Sequence, residues 1–204
     1  MKTTLIKSIS ASLILLGLVG ALGYASVSYL KKDARLIVED SMPSLALAAS
    51  ASSNLATGYN NLLLFLTTKV PDERKSYVRM MNETSEETQG CLEHYATLIR
   101  GDGKDQAIFD NLTKVRENYL KIRSEVIALA DEGKDSQALR LFHDSLRPAY
   151  EKYHQAGEKL LSYNIETGAA FGREITTICN VTQILVAFVG ILLFVAGFLF
   201  GFSR

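Results

Sequence analysis

ILVAFVGILLFVAGFLFGF, residues 184–202, consists of apolar residues and glycine throughout. The stretch stays free of charge back to Ile175. A bilayer's hydrocarbon core requires about 20 apolar residues of helix to cross. In lipid such a segment has to satisfy its own backbone polar groups, so residues 175–202 read as a transmembrane helix. Upstream, Tyr150, Tyr153, Gly157, Leu161, Asn164, Gly168, Phe171 and Ile175 follow one another in steps of about three and four residues. That is a helical stripe running into the span without a break.

The opposite end has a similar character. Residues 8–30 carry no charge and are long enough for a second span. Gly23-Tyr24-Ala25 has the small-x-small form of a signal-peptide cleavage site. The apolar and helical pattern continues past it, so an uncleaved anchor is expected. All 22 acidic residues lie within residues 31–174, and the two ends carry only Lys2, Lys7 and Arg204. By the positive-inside rule this places both termini in the cytoplasm and the central block in the periplasm, although Lys31, Lys32 and Arg35 pull the other way. The expected order is a cytoplasmic N-terminus (1–7), transmembrane helix 1 (8–30), a periplasmic sensor domain (31–174), transmembrane helix 2 (175–202) and the start of the cytoplasmic side (203–204).

Within the central block, Leu45, Ala48, Ser52, Leu55, Tyr59, Leu62 and Leu66 form a heptad seam. Pro43 should kink or break this helix, and Pro71 should turn the chain into the next. A second stripe runs Tyr77, Met81, Thr84, Thr88, Cys91, Tyr95, Leu98 and stops at Arg100-Gly101-Asp102-Gly103. The third runs Ile108, Leu112, Val115, Tyr119, Ile122, Val126, Leu129 and ends at Asp131-Glu132-Gly133. A short helix over 138–142 and then Pro148 lead into the fourth. No segment reads as a strand. Long heptad helices joined by short loops predict an all-α, antiparallel up-down four-helix bundle whose first and last helices continue into the two spans.

The zero net charge argues against nucleic-acid binding, and two cysteines do not make a disulfide scaffold. His94, His143 and His154 are scattered without metal-ligand spacing, so no metal and no cofactor is expected. Glu83, Glu86, Glu87 and Asp110 alternate with Arg79, Lys114, Arg116 and Lys121 as on a solvated helix face. Neither a nucleophile with a nearby base nor a phosphate-binding loop is present. No catalytic residue is assigned, and the chain does not read as an enzyme.

Taken in order, Met42-Pro43-Ser44-Leu45, Pro71-Asp72-Glu73-Arg74, and EVIALADEGKDSQALRLFHDSLRPAY over 125–150 resemble the sensory half of bacterial methyl-accepting chemotaxis receptors. The resemblance covers essentially the whole chain. It implies a homodimer in the inner membrane that meets lipid and senses a small-molecule ligand or a periplasmic binding protein. The cytoplasmic output domain of such receptors is expected to be absent from this chain. The resemblance further implies ligand binding near the membrane-distal end, between the first helix and the start of the fourth. At that height lie Tyr59, Asn60, Asn61, Thr67 and Lys69, with Arg147, Tyr150 and His154 on the fourth helix. A carboxylate ligand would use Arg147 or Lys69 as its ion partner. Two other readings stay open: the input half of a sensor histidine kinase or nucleotide cyclase, and a stand-alone membrane scaffold.

Overall fold

The computed structural model describes residues 2–99 and 103–202, with no strand among them. The expected turn at Arg100, Gly101 and Asp102 and the terminal Ser203 and Arg204 lie outside the described residues. Helix α1 covers Lys2–Leu36, α2 Met42–Thr67, α3 Pro71–Leu98, α4 Gly103–Asp131, α5 Asp135–Leu141 and α6 Arg147–Phe202. The chain resolves into two compact units, Asp40–Thr167, and Met1–Glu39 with Gly168–Arg204.

The first unit is the four-helix bundle. Each helix turns an apolar face inward, and Leu62, Phe65, Met81, Val126 and Leu146 are fully excluded from solvent. Glycine sets two close helix approaches. A Cβ on Gly58 would lie 3.1 Å from Thr84 Oγ1 of α3, and one on Gly157 would lie 3.1 Å from Ser52 Oγ of α2. Helix α4 ends as its sequence predicts. Gly133 adopts φ 76°, with Gly133 N–H bonded to Ala130 O and Lys134 N–H to Leu129 O. This reversal closes the last carbonyls and favours glycine at the left-handed position.

Neither of the first and last prolines breaks its helix. Pro43 and Pro148 are each the second residue of an α-helix, and a π-helical turn stands directly before each, Ile37–Ser41 and Phe142–Leu146. Proline lacks an N–H and crowds the carbonyl four residues back. One wider turn relieves that crowding while the chain stays helical. The short helix expected over 138–142 is therefore the Asp135–Leu141 segment, which passes through the π-helical turn into α6.

In the second unit, large apolar side chains point outward. Leu13, Tyr24, Val27, Ile184, Phe188 and Phe194 are all more than half exposed. Among the described residues, the helical run ending at Val195 is long and apolar enough to cross a membrane by length and composition. Cys91 and Cys179 are free and half-buried.

Candidate functional site

Four of the expected ligand residues share one face of the bundle. The Tyr59 ring on α2 stacks on Tyr150 of α6 with centroids 3.8 Å apart, and Tyr150 stacks on His154 at 5.9 Å. Phe142 extends the platform from the other side, 6.0 Å from Tyr59. Arg147 lies close enough to Tyr59 to oppose the upward pKa shift that partial burial imposes on its hydroxyl. Both basic side chains here have carboxylate neighbours: Arg147 Nε is 3.3 Å from Glu151, and His154 Nε2 is 3.5 Å from Glu158. The other four residues lie apart from this platform. Asn61 is buried and Asn60 exposed. Thr67 donates its hydroxyl to Leu63 O, and Lys69 pairs with Asp135 at 3.0 Å. The Tyr59, Tyr150 and His154 rings lie face to face as one half-exposed stack joining α2 to α6.

Behind the platform the aromatic chain continues inward. Tyr119 of α4 tilts against Tyr150 at 6.3 Å and against Tyr153 at 5.7 Å. Next to it lies a cavity of about 20 Å³ walled by residues of α2, α3, α4 and α6, among them Thr84, Thr88, Arg116, Tyr119, Arg123 and Tyr153. Arg123 is only 8 % exposed, and its guanidinium carbon sits 6.0 Å from the Tyr119 ring centre. Burial lowers the Arg123 pKa, an effect that Tyr119 opposes and the neighbouring Arg116 reinforces. Burial raises the Tyr119 and Tyr153 hydroxyls above the usual tyrosine range. Arg116, expected on a solvated face, is instead half-buried. It bridges α4 to α3 by donating to Gln89 Oε1 at 2.7 Å and to Ser85 O at 3.1 Å. Lower in the bundle, Tyr95 donates to Asp105 Oδ1 and accepts from Asn164 Nδ2, both at 2.8 Å, which ties α3 to α4 and α6.

This arrangement is a bundle that carries a half-exposed aromatic stack and joins its helices through buried polar groups. Residues 1–178 match the four helix bundle sensory module for signal transduction. The chain belongs to that family, the sensory module of methyl-accepting chemotaxis transducers. No curated protein matches it. Membership assigns the chain to chemoreceptor-type signal transduction, and such modules typically lie in the periplasm between membrane helices. Among the described residues of this sensory module, no cluster of histidine, cysteine, aspartate or glutamate could hold a metal ion.

The distal end of the sensory module is fastened by Arg74, to which sequence reasoning gave no role. Its Nε donates to Thr68 O, Nη1 to Ala130 O at 3.1 Å and Nη2 to Asp135 Oδ1 at 3.2 Å. The guanidinium also covers the Phe65 ring at 5.3 Å. One side chain thereby joins the α2–α3 and α4–α5 turns. The hydrogen bond from Lys69, then that from Arg74, holds the Asp135 carboxyl below its ordinary value of 3.8. The unfolded chain therefore takes up this proton at a higher pH than the native one does. The stability linked to Asp135 is present above pH 3.8 and is lost as pH falls through the lower folded value. Asp135→Asn should flatten the acid limb of a stability-against-pH curve below about pH 4 and leave its neutral shape unchanged.

Proposed function

We propose that the Asp40–Thr167 bundle is the periplasmic input of a two-pass inner-membrane receptor that acts as a homodimer and has no catalytic role of its own. A small molecule or a periplasmic binding protein shifts α6 relative to α2, and the displacement passes along α6 into its apolar end. The observation that carries this reading is the continuity of α6. One helix, Arg147–Phe202, bears Tyr150, Tyr153 and Asn164 of the bundle and also the exposed apolar run that includes Ile184, Phe188 and Phe194. The platform of Tyr59, Tyr150 and His154, with Arg147 beside it, is the ligand surface, because it joins α2 to α6 at the place where a bound group would bias their packing.

The test is thermal unfolding of the full chain in lipid nanodiscs against amino acids, organic acids and aromatic metabolites. A ligand that binds only the folded state adds about 2.7 kcal/mol at a hundred times its dissociation constant. The expected result is a saturable rise with one chemical class, reduced at least tenfold in apparent affinity by Tyr150→Ala. A rise that Tyr150→Ala leaves unchanged places the ligand elsewhere and removes the platform from the account.

A further inference from the structure

The structure assigns a second binding site. We propose that the small cavity beside Arg123 and Tyr119 holds one monoanion of halide size. This inference does not rest on the signalling role or on the aromatic platform. Its basis is the donor and charge balance of the cavity wall. The space of about 20 Å³ exceeds the roughly 10–15 Å³ that one water requires. Neither aspartate nor glutamate lines it, whereas two guanidinium groups do.

Three of the polar side chains around it are already committed. Thr84 and Thr88 donate their hydroxyls to carbonyls of their own helix, Met80 O at 3.1 Å and Thr84 O at 2.7 Å. Arg116 spends two of its N–H groups on Gln89 and Ser85. By hydrogen-bond geometry two buried atoms are left without a partner, Arg123 Nε and the Tyr119 hydroxyl oxygen, although the Tyr119 hydroxyl lies close enough to support the Arg123 charge. Their residues are 92 % and 98 % buried, from exposures of 8 % and 2 %. Both carry a proton to donate.

A water molecule in the cavity could accept from both groups but would leave the positive charge unbalanced. A guanidinium does not neutralise itself by losing its proton at physiological pH. Arg123 Nε is buried and unpartnered, and a buried donor left without its hydrogen bond costs free energy. A monoanion accepts both hydrogen bonds, has no proton that needs a partner, and cancels one charge. The volume admits a halide and excludes gluconate or a dicarboxylate. Because walls from α2, α3, α4 and α6 surround it, an anion there stabilises the assembled bundle and not an isolated helix.

The experiment is thermal unfolding of the full chain in nanodiscs at constant ionic strength, with sodium chloride replacing sodium gluconate, joined to crystals grown in sodium bromide. The expected result is a saturable rise on the order of 3–6 °C at ten times the dissociation constant. Tyr119→Phe and Arg123→Gln should each abolish that rise. Bromide should give an anomalous peak between Arg123 Nε and the Tyr119 hydroxyl. Equal melting in chloride and gluconate, a rise unchanged in Tyr119→Phe, or no bromide peak in the cavity would each overturn the site. Should Arg123→Gln fail to fold, Tyr119→Phe and the bromide map decide.

Discussion

Tyr95→Ala is expected to lower the stability of the chain by about 3–5 kcal/mol, the largest single effect anticipated in the bundle. Tyr95 is 1 % exposed, and its ring stacks on Phe109 of α4 at 5.6 Å. Truncation to alanine empties that volume and cuts the tie between Asp105 and Asn164. Tyr95→Phe separates the two contributions. It keeps the ring and removes only the hydroxyl, so it should cost about 1–2 kcal/mol. Asn164 Nδ2 keeps its bond to Leu160 O in that variant, which limits the loss. Denaturant unfolding of both variants gives the two figures. The same hydroxyl also predicts alkaline behaviour. Burial, the largest cause, holds Tyr95 protonated well above its ordinary value of 10.0. Above pH 10 the unfolded chain therefore loses a proton that the native chain keeps, so stability falls as pH rises, and Tyr95→Phe should make that fall shallower.

The second large effect concerns Gly157. It lies in α6 against Ser52 of α2, where an added Cβ would stand 3.1 Å from Ser52 Oγ. Alanine should be tolerated. The serine hydroxyl can rotate away, and a helix interior gains roughly 1 kcal/mol from alanine over glycine. Leucine has no such room and would push α6 away from α2, at a cost of about 1–3 kcal/mol. Thermal unfolding should therefore rank Gly157→Ala near the native chain and Gly157→Leu well below it. Ser52→Gly should restore part of the leucine loss, because it removes the group that the new side chain meets.

Much of this architecture was legible from heptad spacing. The stripes through Leu55, Met81 and Tyr153 face inward, as does the third as far as Tyr119, and Asp131-Glu132-Gly133 ends α4 as its composition predicts. The third stripe shows where such reading fails. Periodicity alone steps from Tyr119 to Ile122, because an apolar residue is the natural choice for a seam. The buried series is Leu112, Tyr119, Arg123, Val126, Ala130, so the face turns by one residue at that point. A filter on hydrophobicity passes over a buried arginine, although Arg123 lies four residues after Tyr119 and three before Val126. That spacing was the available signal. The π-helical turns before Pro43 and Pro148 have no signature beyond the prolines themselves. Arg74 acts through partners 56 and 61 residues away, a pairing that local sequence does not encode. The family match supports the overall role, and the stacking of Tyr59 on Tyr150 is ring geometry that periodicity cannot supply.

In the proposed mechanism α6 carries a change in bundle packing across the membrane as a continuous helix. The most direct measurement joins the full chain, after Arg204, to a histidine-kinase output and reads phosphorylation in membranes. Gly157→Leu, chosen to displace α6 from α2, should change basal output several-fold. Inserting three glycines between Glu174 and Ile175, which interrupts the helix, should abolish that change while the bundle stays folded by circular dichroism. If the output change from Gly157→Leu survives the insertion undiminished, or if the folded variant gives native output, α6 does not transmit the signal.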